Sequence, residues 1–542
     1  MCPQIHFLPM DIKIEVNEGE NILQSARAAG IPINTLCSGN GACGKCRVKP
    51  DALGINEITL TEKLCLSQKQ INEGYRLACL TTVWDDIKVW IPEESLRDWT
   101  PASKEGANGL DLSQYPPRRE IVYNDYDLGI ALDLGTTTLA GYLHNMKTQK
   151  CLGSAAVPNP QMAYGADIMS RLHYALKSGG FEALQKALFE GIDHLIITLL
   201  RNAKGNIQNV RRISVVGNSV MHDCLLGYDL ASLTELPFSP RTTEWLTLTL
   251  KEIRTHILSG LRPETEVDIL PLAGGFVGSD LLAGLLAAGL HQSSEVFLYL
   301  DLGTNNEIAL GNKDKIFVSS TSAGPAFEGG ALSCGMRAQP GAIDLVSLSG
   351  EKPSIRTIHH LQPQGLCGSG AVSLLAELLR TGRVNKRGRL LQPNGSINNS
   401  PAFLLEIQGI SVGLTEKDIG ELQKAKAAIF AGTVILAAKF GIQPEDVSKV
   451  YIAGAFGSHL PVNQALSIGL IPMFDPERIT MVGNAAGDGA RLCLISSKSQ
   501  AELVKLQSKT EVINLAMHSE FEKEFIRALF LPHEEYPSFG VR

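Results

Sequence analysis

GIALDLGTTTLAGYL, residues 129–143, returns in altered form as FLYLDLGTNNEIALG at 297–311. Each copy is an apolar strand, the tetrapeptide DLGT, a polar pair and a second apolar strand. Repeats that stack into a solenoid recur every 20–50 residues or so; two copies this far apart indicate one duplicated domain. In each copy a carboxylate, Asp133 or Asp301, ends a buried strand just before a tight turn. Successive backbone N–H groups and hydroxyls in such a turn form a nest for an anion such as phosphate. Gly135, Thr136, Thr137 and Thr138 supply one side, and Gly303, Thr304 and Asn305 the other. The aspartates repel phosphate but can hold Mg²⁺, usually through water, and the metal then bridges to phosphate oxygens.

A third stretch, VYIAGAFGSHL at 450–460, runs from an apolar strand into Gly454, Ala455 and Gly457. Those residues are small enough for a base and ribose to approach the backbone, although any tight strand-to-helix turn reads the same way. In order, the three elements resemble the phosphate-1, phosphate-2 and adenosine motifs of the actin, sugar kinase and heat-shock chaperone ATPase superfamily. The resemblance covers about residues 126–542 and implies two duplicated α/β subdomains, the second starting near 292, with ATP and Mg²⁺ in a central cleft. In that superfamily a polar residue on a connecting helix before phosphate-2 orients water or Mg²⁺. Asp280, in PLAGGFVGSDLLAGLLAAGL (271–290), is the candidate, and capping its own helix is the alternative. GNAAGDGARL (483–492) resembles the second connecting helix, and Asn484 and Asp488 could approach the nucleotide.

Three segments rich in glycine and small residues lack a residue-level reading: 215–227, 322–336 and 365–372. They line the cleft or face a partner. His222 beside Asp223 reads as a hydrogen-bonded structural pair.

The chain's other end holds TLCSGNGACGKCRV, residues 35–48. Six of the eleven cysteines fall in the first 79 residues, where a disulfide staple, a zinc site and an iron–sulfur cluster compete. Structural zinc sites usually pair two knuckles, whereas only one C-x2-C, Cys43 and Cys46, is present. A cluster needs four thiolates and backbone N–H groups turned toward its sulfides, which Gly39, Gly41 and Gly44 would allow. Before the loop, residues 4–16 read as a hairpin about a Pro9–Asp11 turn. Residues 21–30 read as a helix from Asn21 to Gly30, and 75–91 holds two more strand-like runs. With these elements Cys37, Cys43, Cys46 and Cys79 resemble the ligand set of a [2Fe–2S] ferredoxin, in the variant with five residues in the first gap. The resemblance implies an α+β (β-grasp) domain over 1–92. Cys65, in KLCLSQ, reads as a helix face rather than a ligand.

Proline, glycine and charge dominate 93–124, the signature of an extended, mobile linker, and the ATPase follows over 125–542. No G-x-G-x-x-G stands between strand and helix, so a flavin or nicotinamide site is not expected. A ferredoxin tethered to an actin-like ATPase is similar to the reductive activators of corrinoid enzymes. That resemblance implies ATP-coupled one-electron reduction of the inactive Co(II) corrinoid of a methyltransferase system to Co(I). It also implies a low-potential electron donor and a possible homodimer through the ATPase. Residues 92–128 leave no room for a further small domain that longer members insert there. Rival classes are an activator of a dehydratase or other radical enzyme, and a redox-sensing assembly module. The net charge of −7 offers no footprint for nucleic acid. The apolar run at 281–290 is too short to cross a bilayer, and without a signal peptide at the N-terminus the expected location is cytoplasmic.

Overall fold

In the computed structural model the described residues are 2–31, 33, 39, 41, 44–51, 53–92, 95, 114–118, 121–253, 260–303, 305–322, 324–330, 332–350, 352–454, 456–472 and 474–535. Period-2 alternation over the first residues produces the hairpin β1 (Gln4–Leu8) and β2 (Ile12–Glu15), with Ile5 and Phe7 turned into the core. The helix Ile22–Ala28 begins at Asn21, whose side chain accepts the Gln24 N–H, and buries Ile22, Leu23 and Ala26. Three further strands, β3 (Arg47–Pro50), β4 (Arg76–Leu77) and β5 (Ile87–Trp90), complete a mixed sheet ordered β2-β1-β5-β3-β4. One helix packed on such a sheet is the β-grasp arrangement expected of a ferredoxin.

A buried ion pair closes this unit. Glu62, on the helix Leu60–Cys65, is 0% exposed and accepts from Arg76 Nε at 2.9 Å and Arg76 Nη2 at 3.1 Å. It also accepts the Leu77 and Thr59 N–H groups. Burial raises the Glu62 pKa, but the hydrogen bonds from Arg76, Leu77 and Thr59 outweigh it and leave the pKa below the ordinary carboxylate value. A depressed carboxyl contributes stability above its unfolded pKa and loses it as pH falls through the folded one. Glu62→Gln is therefore expected to destabilise the cluster domain at pH 7 by about 3–5 kcal/mol, the cost of breaking a buried pair. The gap from wild type should shrink below about pH 4. Urea titrations followed by visible absorbance at both pH values measure it.

The rest of the chain repeats one topology. In the first half, β6 (Leu128–Leu134), β7 (Thr138–Asn145), β8 (Cys151–Pro158), β9 (Val210–Gly217), β10 (Leu246–Thr249) and β11 (Glu266–Ile269) form a sheet ordered β10-β11-β9-β6-β7-β8. The second half opens with β12 (Phe297–Asp301), β13 (Asn305–Gly311) and β14 (Ile316–Ser322). Two small sheets follow, of β15 (Ala342–Ser347), β16 (Ser354–Thr357) and β17 (Gly365–Leu366), and of β18 (Gly395–Ile397), β19 (Ser400–Ile407) and β20 (Ile410–Thr415). Then β21 (Lys449–Ala453), β22 (Ile479–Gly483) and β23 (Thr510–Val512) complete the order β22-β21-β12-β13-β14-β23.

Five strands of each large sheet match in order and direction. Three run antiparallel in succession, and two parallel strands lie on the far side of the first. The DLGT repeat is thus the β6–β7 and β12–β13 turn of a duplicated actin-like α/β unit. The helices Ser279–Ala287 and Ala485–Ile495 pack together between the sheets in one apolar cluster with Tyr299 and Ala131.

Most of the stretch read as a mobile linker, 93–124, lies outside the described residues, but its end is anchored on the ATPase. Tyr115 is buried in that same cluster. Arg118, 6% exposed, donates to the Cys493 and Leu494 carbonyls and faces the Asp268 carboxylate. Composition reads this stretch as unstructured because the apolar cluster, carbonyls and carboxylate that hold it come from distant parts of the chain.

Candidate nucleotide cleft and cluster loop

Asp133 and Asp301 stand at the C-terminal ends of β6 and β12, and both line one cleft between the halves. Gly135, Thr136, Thr137, Thr138, Asp280, Gly303, Asn305, Gly454 and Asn484 line it too. Thr304 and Ala455 lie outside the described residues. Two assigned residues do not reach the cleft. Asp488 is buried and paired with Arg491 at 2.6 Å, and an added Cβ at Gly457 would meet Ile452 Cγ2 at 2.8 Å, a packing contact.

The first turn is held rigidly from behind. Asn159 Nδ2 donates to the Gly135 carbonyl at 3.0 Å, and Asn218 Nδ2 donates to Thr136 Oγ1 at 3.3 Å. The fully buried Arg171 donates to the Thr136 and Gly165 carbonyls and to Gln161 Oε1. On the opposite side Gly454 has φ +91°, and a Cβ there would lie 2.5 Å from the Leu302 carbonyl and 2.8 Å from Asp301 Oδ1. Only glycine fits that approach. Asn484 caps its helix through the Gly487 N–H and donates to Asp133 Oδ2 at 3.0 Å. The helix carrying Asp280 starts at Gly278 rather than at a side-chain cap. Asp280 Oδ1 accepts the adjacent Leu281 N–H while its side chain faces the cleft.

The sequence reading missed several lining residues. Asn218 comes from 215–227, Phe327 and Glu328 from 322–336, and Gly368 and Ser369 from 365–372, so all three unread segments border the cleft. Arg337 follows directly after the second of them. Glu307 pairs across the strands with Asp301, and burial with the Asp280 and Asp301 charges pushes its pKa well above the ordinary carboxylate value. Inward alternation along β13 from Asn305 is the signal that could have found it. His222 and Asp223 form a buried pair at 3.0 Å away from the cleft, the structural role expected of them.

At the other site Cys46 and Cys79, both buried, hold their sulfurs 3.4 Å apart. That exceeds the disulfide length of about 2.05 Å and suits two thiolates on one metal centre. Cys37 and Cys43 lie outside the described residues. Gly39, Gly41 and Gly44 all take positive φ (+93°, +79° and +64°), which lets the loop wrap as a cluster requires. Cys65 sits behind that loop, its thiol donating to the Gly41 carbonyl at 3.4 Å. Lys45, next to Cys46, donates to the Leu332 carbonyl of the second ATPase half at 3.2 Å. Arg27 stacks over Tyr164 of the first half at 6.0 Å.

Comparison with known proteins accounts for both sites at once. Residues 5–83 match the family described as "2Fe-2S iron-sulfur cluster binding domain", 128–293 match "RACo middle region" and 295–540 match "C-terminal domain of RACo the ASKHA domain". The "Corrinoid activation enzyme RamQ" of Eubacterium limosum is 34% identical over an aligned length of 594, covering 96% of this chain and 98% of that protein. The chain belongs to the corrinoid-activator family. A second relative of this activator is the "[Co(II) methylated amine-specific corrinoid protein] reductase" of Methanosarcina barkeri. It is 26% identical over 416 residues, covering 72% of this chain and 74% of that protein. A solved structure described as "Reductive activator for corrinoid,iron-sulfur protein" superposes with a TM-score of 0.70 at 29% identity over 100% of both chains. The family's middle region coincides with the first half of the activator's duplicated unit. The activator is an ATP-dependent reductase with a [2Fe–2S] domain. Among its described residues no helix is long and apolar enough to cross a membrane.

Proposed function

We propose that this protein returns the inactive Co(II) form of a corrinoid methyl-carrier protein to Co(I) by one-electron transfer coupled to ATP hydrolysis. The observation that carries the reading is one chain holding both a ferredoxin-type cysteine loop and an acid-rich nucleotide cleft, in a family whose members are named for corrinoid activation. When bound, the cluster supplies a one-electron carrier. Cys37, Cys43, Cys46 and Cys79 hold it.

In the cleft, Thr136, Thr137, Thr138 and Asn305 receive phosphate oxygens. Asp133 and Asp301, hard oxygen donors, suit Mg²⁺, and Gly454 leaves room for the nucleoside. Asp280 orients the attacking water. Nucleotide shifts the conformational balance only by binding two states of the cleft differently. The Lys45–Leu332 and Arg27–Tyr164 contacts give such a shift a path to the cluster domain, since they reach opposite halves of the ATPase. The partners are a carrier protein of a methyltransferase system and a low-potential electron donor, in the cytoplasm, with the ATPase as the dimerising unit.

The decisive experiment mixes reduced protein with a purified Co(II) corrinoid carrier and follows the Co(I) absorption band. The band is expected to grow only when ATP and Mg²⁺ are both present. Equal growth with ADP, or none with ATP, would sink the reading.

A further inference from the structure

The cleft has a charge problem. Asp133, Asp280, Asp301 and Glu328 line it, and among the described lining residues Arg337 is the one arginine or lysine. A nucleoside triphosphate brings further negative charge to this wall of carboxylates. A divalent cation on the aspartates answers part of it, and a fixed cation must answer the rest.

Arg337 is placed for that task. Its Nη2 donates to the Met162 thioether sulfur at 3.2 Å, and no ion pair to it is formed among the described residues. A thioether is a weak, neutral acceptor, so the guanidinium keeps its charge and most of its donors. Met162 belongs to the first half of the ATPase, at Pro160–Ala163, while Arg337 belongs to the second. The side chain therefore spans the two halves. Unlike Arg171, which is fully buried and spent on backbone carbonyls behind the first turn, Arg337 lies on the cleft surface.

We infer that Arg337 is a catalytic residue of the ATPase, its guanidinium binding the γ-phosphoryl oxygens and stabilising the charge that develops on them during transfer to water. The inference deepens the proposed activity and rests on ATP being hydrolysed in this cleft. In the step, a water oxygen forms a bond to the γ-phosphorus as the β–γ bridging P–O bond breaks. ADP leaves with the electron pair on its terminal oxygen, and the water's protons pass to inorganic phosphate and solvent. A planar fork of N–H donors fits the equatorial oxygens of the moving group. An arginine in this role is typically worth ~10³ or more in kcat.

Five residues before Arg337, the Leu332 carbonyl accepts from Lys45 beside Cys46. The segment that carries Arg337 is thus also the one that touches the cluster loop.

The test uses the full-length protein with its cluster loaded. Arg337→Ala is expected to lower kcat for ATP hydrolysis by about 10²–10³-fold. Its affinity for ADP should change by no more than about threefold, while its affinity for ADP with aluminium fluoride, a mimic of the transferring phosphoryl group, falls by about the same factor as kcat. Arg337→Lys, which restores charge without the fork, should recover part of both losses. A purely structural role would weaken ADP and its aluminium fluoride complex alike, and that outcome overturns the inference. So does a kcat within about threefold of wild type. If Arg337→Ala does not fold, Arg337→Lys decides alone: unaltered transition-state-analogue affinity and kcat overturn the inference. Absence of hydrolysis by the wild type would instead overturn the activity on which the inference rests.

Discussion

Cys79→Ser is expected to remove the visible absorption and bound iron of the cluster domain and to abolish Co(II) reduction, while ATP hydrolysis stays within about twofold of wild type. The serine hydroxyl is nearly isosteric but stays protonated, whereas iron–sulfur centres are held by thiolates. Cys79 is buried with its sulfur 3.4 Å from that of Cys46. Cys65 is the competing thiol, but its hydrogen is directed at the Gly41 carbonyl on the back of the loop. Cys65→Ser is the matched control and should keep the spectrum. Iron content, absorption and the electron paramagnetic resonance of the reduced protein provide the measurement. Loss of the spectrum in the Cys65 variant with retention in the Cys79 variant would reverse the ligand assignment.

Asp301→Asn should leave the fold intact and lower ATP hydrolysis by about 10²–10³-fold, taking ATP-dependent Co(II) reduction down with it. The side chain keeps its shape, so Gly454, whose absent Cβ makes room beside Asp301 Oδ1, is undisturbed. What is lost is a negative hard oxygen at the end of β12. The Mg²⁺ concentration giving half-maximal activity should rise, which a purely steric effect would not produce. A Mg²⁺ titration of the steady-state rate checks this, and near-wild-type turnover at low Mg²⁺ would remove Asp301 from the metal site. The cluster spectrum should be unchanged, since Cys46 and Cys79 flank β3 and β4 of a separate sheet.

These two changes separate the functions because the elements responsible were legible one by one. The β1–β2 hairpin was readable from period-2 alternation, and the helix from Asn21 from its cap. Both DLGT turns were readable because a strand period breaks at a glycine in a matching context. Asp133, Asp280 and Asp301, singled out from separate motifs, line one cleft. The places where the structure adds to the sequence reading share a cause. Asp488 looked like a nucleotide contact because its helix starts at the cleft, but it is buried and paired with Arg491, three residues on. The end of the linker gave no sign of its anchoring because the groups that bury Arg118 come from residues 268, 493 and 494.

The sequence by itself determined the parts: the cysteine and glycine spacing of the cluster loop, two copies of a strand–turn–strand with a terminal carboxylate, and their order along the chain. Each is a local pattern, in which backbone freedom, side-chain period and ligand chemistry act within a dozen residues. The tertiary structure decided which side chains share a space. It placed Asn218, Glu307, Phe327, Ser369 and Arg337 around the two aspartates, and set Lys45 against Leu332. No single segment encodes those meetings, because they arise when two duplicated sheets pack on their shared helices and bring distant strand ends to one cleft.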